Sequence, residues 1–144
     1  MGGSPIPNSS ETVHLTIPSR LEELAQVHAL LEELGRRHGL DEDFVNSLLI
    51  AVIEAGTNAV QHGNMFAEDK TVKFEVTVDP SAIRVRVDDV GRGFDPSRVL
   101  NPTEGEQLLS PHGRGLFLMR QLMDEVRFES GPEHGTTVFL RKSR

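Results

Sequence analysis

Glu54, Asn58 and His62 stand at successive intervals of four, so in a helix they fall on one stripe, each side chain one turn from the next. A neutral amide oxygen such as that of Asn58 suits Mg2+, a hard cation that keeps few protein ligands beside phosphate oxygens. The carboxylate of Glu54, one turn away, is placed to orient or deprotonate a nucleophile. A solvated helix face is the other reading of this stripe, and two further segments bear on the choice.

The first is Asp88-Asp89-Val90-Gly91-Arg92-Gly93-Phe94. Ile83, Val85 and Val87 alternate toward a core, so Asp89 continues the inward parity at the strand's end while Asp88 joins Arg84 and Arg86 outside. An inward carboxylate requires a partner. Gly91 and Gly93 let the backbone turn sharply and approach a flat ligand closely; a glycine-rich turn with a cap-like Asp is the plainer alternative. The second segment is His112-Gly113-Arg114-Gly115-Leu116, which opens a helix. Free N–H groups and the positive dipole end make such a helix start an anion site, and Arg114 would reinforce it. Neither glycine pair forms G-x-G-x-x-G, and no G-x-x-x-x-G-K-[ST] occurs, which excludes a Rossmann fingerprint and a P-loop. One pocket between helices and sheet reconciles the parts: Asp89 accepts from an exocyclic amine, the glycine-rich loop closes over the ligand, the helix start holds phosphates, and Asn58 and Glu54 serve as metal ligand and base. These are parts for phosphoryl transfer.

The elements that must position them follow from periodicity. Residues 11–17 alternate as a half-buried strand. Ser19, with Glu22 three residues on, has the spacing of a capping box, and Leu21, Leu24, Leu31 and Leu34 mark a first helix that closes near Gly39. Asp41 starts a second helix whose apolar face runs from Phe44 to Val60 and ends at Gly63. Residues 71–78 and 82–88 form a hairpin about Asp79-Pro80-Ser81. Residues 91–113 form a loop of the length that is usually functional or mobile, with room for little more than a short helical turn around Pro96–Leu100. A third helix around Leu116–Met123 and two closing strands, 126–128 and 136–140, complete the order. The fold class expected is α+β, a two-layer sandwich of three helices on a mixed, mostly antiparallel sheet.

Composition sets the bounds. At 144 residues, 37% hydrophobic and 26% charged, the chain is one ordinary globular domain over 11–144 behind a loose Gly/Pro/Ser-rich tail at 1–10. Twenty-two acidic residues against 15 basic give a formal charge of −7, so no direct nucleic-acid partner is expected. The absence of cysteine excludes disulfides, thiolate metal sites and Cys nucleophiles. With no apolar leader and no run approaching a membrane span, a cytoplasmic protein without a membrane partner is expected. The six histidines include no H-E-x-x-H cluster of the zinc type.

In this order the motifs resemble those of the GHKL (Bergerat) ATPase superfamily and, within it, the anti-sigma factor serine/threonine-protein kinases of bacterial partner switching. Residues 54–63 look like the N box, 89–95 the first glycine box, 113–116 the second, and 135–138 the terminal strand motif. The resemblance implies ATP and Mg2+ as cofactors, Glu54 as general base, Asn58 as Mg2+ ligand and Asp89 as adenine reader. It further implies that Thr57, Gly91, Gly93, Phe94, Gly113, Arg114, Gly115, Leu116 and Thr136 belong to the nucleotide cradle and lid. Its implied partners are a STAS-type anti-sigma factor antagonist, phosphorylated on Ser or Thr, and a sigma factor or other sequestered regulator; a homodimer is implied as well.

Two other readings share these residues. A nucleotide-dependent partner-binding module without kinase activity would use the same pocket. A sensor histidine kinase would need a phosphoacceptor helix, and neither His28 nor His38 on the first helix is followed by the expected Glu and Pro.

Overall fold

In the computed structural model, which describes residues 10–91, 111–131 and 135–144, every strand pairs antiparallel. β1 (Glu11–Pro18), β2 (Thr71–Val78), β3 (Ala82–Asp88), β4 (Glu125–Gly131) and β5 (Gly135–Ser143) form one sheet in the order β1-β2-β3-β5-β4. The mostly antiparallel sheet expected is thus antiparallel throughout. The helices are α1 (Leu24–Arg37), α2 (Glu42–Asn58) and α3 (Pro111–Leu122). The expected tail at 1–10, apart from Ser10, and residues 92–110 of the loop expected at 91–113 lie outside the described residues; the last three residues of that expected loop, 111–113, instead form the first turn of α3.

Strict alternation makes one sheet face apolar. Ile17, Val72, Phe74, Val76, Val78, Ile83, Val85, Val87, Val138 and Leu140 are buried there. Against them lie Leu24, Val27, Leu31 and Leu34 of α1, Leu48, Ala51, Val52 and Ala55 of α2, and Leu116 and Met119 of α3. α2 is the middle helix and packs on both others. Gly56 lets it sit low on the sheet, because a Cβ there would stand 2.7 Å from Leu24 Cδ2 and 3.1 Å from Phe74 Cζ. The opposite face carries charged and polar side chains, including His14 bonded to Glu75 at 2.9 Å and the Arg127 guanidinium 4.3 Å from the centre of the Phe139 ring. Truncating Phe74 to Ala would cost about 3–5 kcal/mol by opening a cavity between the layers.

The hairpin between β2 and β3 is closed by the Asp79 side chain, whose Oδ1 accepts from the Ser81 and Ala82 amides at 2.8 Å each. α2 starts where the sequence places it, with the Asp41 carboxylate accepting from the Asp43 amide at 3.2 Å. α1 does not. Its entry is a 3-10 turn, Leu21–Glu23, without a side-chain cap. Ser19 is buried, and its hydroxyl donates to the Lys70 carbonyl at 2.6 Å and accepts from Asn64 Nδ2 at 2.8 Å. A tertiary bond has displaced the local capping box.

Two topological facts position the site. β5 inserts between β3 and β4, so Asp88, the last residue of β3, faces Thr137 of β5 in register. α2 is continued without a break by a π turn, Ala59–Gly63, in which the Asn64 amide reaches back to the Ala59 carbonyl at 2.8 Å. π turns interrupt helices mostly at functional sites.

Candidate functional site

The polar stripe of α2 opens onto a cleft of about 400 Å³ lined by Glu54, Thr57, Asn58, Gln61, His62, Gly115 and Leu118. Glu54, Thr57 and Asn58 are half-buried at its floor, while Gly115 and Leu118 come from α3. The spacing-based expectation is met: Glu54 and Asn58 lie one turn apart and share this opening. Gly115 keeps it passable, for a Cβ at that position would stand 2.6 Å from Glu54 Oε2 and 3.7 Å from Asn58 Nδ2. Gly113 and Arg114 belong to the first turn of α3. Leu116 is fully buried in the core. Its position follows from the amphipathic face that fastens α3 to the sheet.

Asp89 marks the other end. It is 4% exposed, facing inward as strand parity predicts, and Oδ1 accepts from the amides of Gly91 and Thr136, each at 3.0 Å. Its own amide donates to the Thr136 carbonyl at 3.0 Å. Among the described residues Oδ2 accepts no hydrogen bond and lies against Gly63, where a Cβ would collide with it. Burial pushes the Asp89 carboxyl above its ordinary value, the Gly91 and Thr136 amides oppose that shift, and the neighbouring Asp88 charge adds to it. A buried carboxylate with one oxygen satisfied and one unspent is an acceptor held for a donor. An exocyclic amine fits that need.

Backbone segments approach one another closely around Asp89. A Cβ on Gly91 would collide with the Gly63 carbonyl, and Gly135, at φ +72°, would drive one into the Asp89 backbone. Thr136 is buried, with its hydroxyl 3.3 Å from that of Ser130. Gly93 and Phe94 lie outside the described residues.

Sequence reasoning missed Asn64. It is 1% exposed. Nδ2 donates to Ser19 Oγ at 2.8 Å and the Thr71 carbonyl at 3.0 Å, and Oδ1 accepts from the Val90 amide at 2.9 Å. The one sequence cue was its place directly after the Gly63 that ends the α2 pattern.

Three helices on one face of an antiparallel sheet make this an α+β domain of the ATPase class. The chain belongs to the histidine kinase-like ATPase domain family, which it matches over residues 17–142. It is 34% identical to Serine-protein kinase RsbW of Bacillus subtilis (strain 168), over 94% of this chain and 87% of that one. It is 30% identical to the protein of the same name in Listeria innocua serovar 6a, over 92% and 87%. Among solved structures, the RsbU and RsbW domains of a Mycobacterium tuberculosis protein superpose with a TM-score of 0.64 at 25% identity, covering 93% of this chain and 33% of that one. The SiaB-SiaC complex from Pseudomonas aeruginosa shares the fold at 12% identity, with a TM-score of 0.62 over 92% and 89% of the two chains. At this identity and coverage the chain is a serine/threonine-protein kinase that binds ATP. No helix among the described residues is long and apolar enough to cross a membrane.

Proposed function

We propose that the protein is an anti-sigma regulatory kinase of a partner-switching system. It phosphorylates a Ser or Thr on a small STAS-type antagonist and sequesters a regulator such as a sigma factor, acting as a cytoplasmic homodimer of one domain spanning 11–144. The observation that carries this reading is a single rigid element with a chemical group at each end. The run of α2 and its π turn extends from Glu54 and Asn58 to Gly63, against which the unspent Oδ2 of Asp89 lies.

On this reading the adenine amine donates to Asp89 Oδ2, and Gly63, Gly91 and Gly135 permit the base to approach backbone. Thr136 holds Asp89 through its amide. The phosphates extend along α2 toward the start of α3, the segment that carries Gly113, Arg114 and Gly115. Asn58 offers a hard, neutral oxygen donor of the kind that suits Mg2+ beside phosphate, and Glu54 stands one turn away. Bound there, the ion would neutralise charge on the transferring phosphoryl group. Glu54 accepts the proton of the attacking hydroxyl and Thr57 lines the path between. Holding nucleophile and phosphoryl group in line supplies most of the rate enhancement.

Capture of binding partners from source lysate with Mg-ATP and with Mg-ADP, followed by intact-mass analysis, tests this function. A small partner that gains one phosphate only with Mg-ATP, together with a sigma factor, is the expected result. Partners whose affinity follows the nucleotide but whose mass never changes would make the chain a binding switch without transfer.

A further inference from the structure

Asn64 joins four segments, two of which, at Ser19 and Val90, are 45 and 26 residues away in sequence. Its side chain ties the β1–α1 connection at Ser19, the first residue of β2 at Thr71 and the residue after Asp89 at Val90, while its own amide closes the π turn on Ala59. Both amide protons and the carbonyl oxygen of the side chain are used, in a site that is 1% exposed. Ser19 extends the network by donating to the Lys70 carbonyl at 2.6 Å. A fully satisfied buried polar network of this kind rigidifies what it touches and costs much when half broken.

The chain around it is held against its own preference. Met65 and Phe66, two bulky residues, adopt left-handed backbone at φ +52° and +59°, and the Phe66 amide bonds the Val60 carbonyl at 2.9 Å. Such conformations persist where the surroundings over-determine them, and they cluster at binding sites. Here the reversal brings Asn64 Oδ1 onto the amide between Asp89 and Gly91. Val90 is itself 49% exposed, so its side chain does not anchor this turn. The Asn64 bond holds its middle, between the Thr136 bonds to Asp89 and the Gly91 amide on Asp89 Oδ1.

We propose that Asn64 is a positioning residue for nucleotide recognition: by holding the Val90 amide it fixes the Asp89–Gly91 turn, and with it the aim of Asp89 Oδ2 at the purine. This rests on the ATP-site reading above and adds a residue that sets affinity and base preference without touching the ligand.

Calorimetric titration of the full chain with Mg-ATP and with Mg-GTP, for wild type, Asn64→Ala and Ser19→Ala, separates positioning from mere stability. Loss of stability alone raises the apparent dissociation constant only by the reciprocal of the folded fraction, which unfolding of the same variant gives. Positioning moves the constant beyond that factor. Asn64→Ala is expected to weaken ATP about tenfold, as loss of one aligned hydrogen bond would, and to narrow the preference for ATP over GTP. Ser19→Ala, which leaves the Val90 bond in place, is expected to lower the melting temperature with ATP affinity within about twofold of wild type. Equal affinities for wild type and Asn64→Ala, or equal weakening by both substitutions, would overturn the proposal; absence of ATP binding by wild type would overturn the site reading beneath it. Should Asn64→Ala fail to fold, hydrogen exchange in wild type decides. The Val90 amide is expected to be protected despite the exposed side chain, and exchange at the rate of a free loop amide would refute the bond.

Discussion

The Asp89 carboxylate and the Thr136 amide meet at 3.0 Å across 47 residues of sequence. Thr136 is carried there because β5 enters the sheet between β3 and β4. The last hairpin of the chain thus completes a site begun by the second helix, and the sheet order is what makes Asp89 both buried and partnered.

Asp89→Asn should leave the nucleotide-free protein at least as stable as wild type at neutral pH. The Asn oxygen can keep both amide bonds while the burial of a charge disappears. Because burial raises the folded-state pKa of Asp89 above 3.8, the native state binds its proton more tightly than the unfolded chain. Stability from this group therefore falls as pH rises from about 3.8 through the raised value. Urea unfolding of both proteins across that window should show wild type losing ground to the variant with rising pH and then levelling off. A gain by wild type would contradict the assignment.

Much of this was legible in the sequence, for physical reasons that can be named. Strand parity from Ile83 to Val87 pointed Asp89 inward, and helical spacing put Glu54 with Asn58, since both are local geometry. The Asp79-Pro80-Ser81 turn was legible because Asp79 caps it within two residues. Ser19 was misleading: its spacing to Glu22 matches a capping box, but a bond to Lys70, 51 residues away, won. Asn64 and the π turn were invisible because a 3.6-residue pattern runs smoothly over Ala59 and Val60, and the network that needs the extra residue exists only after the segments at Ser19 and Val90 are brought to Asn64. Leu116 was grouped with its glycine neighbours, whereas its apolar side chain follows the core face of α3.

Gly115→Ala separates activity from stability. Alanine inside a helix is favoured over glycine by about 0.5–1 kcal/mol, so the melting temperature should hold or rise. The new Cβ would press on Glu54 Oε2, only 2.6 Å away, and displace the proposed base. Phosphoryl transfer should fall on the order of 10- to 100-fold. Unchanged transfer would mean that Glu54 has room to work elsewhere.

Glu54→Gln retains the shape of the stripe and removes the proton acceptor. ATP affinity should remain near wild type while transfer to the partner drops by about 100-fold or more. A variant that still transfers at the wild-type rate would take Glu54 out of the base role.

At the far end of the sheet, Asp79 gives a control on acid stability that is independent of the site. Burial opposes ionisation, but the Ser81 hydroxyl and amide, the Ala82 amide and Arg84 outweigh it and hold the carboxyl at about 2. A depressed folded-state pKa contributes stability that is complete above about 3.8 and is lost as pH falls toward 2. Asp79→Ala should therefore cost on the order of 1 kcal/mol at neutral pH, discounted for solvent screening at the hairpin, and the difference should shrink in acid. Chemical unfolding at several pH values reads it directly.

The central claim is that Asp89 at one end and Glu54 with Asn58 at the other belong to one ATP site, and ligand-dependent melting tests it most directly. With Mg-ATP at 100 times its dissociation constant, wild type should gain about 2.7 kcal/mol of stability. Glu54→Gln should keep that gain and Asp89→Asn should lose most of it. Equal gains in wild type and Asp89→Asn, or no gain with any adenine nucleotide, would contradict it.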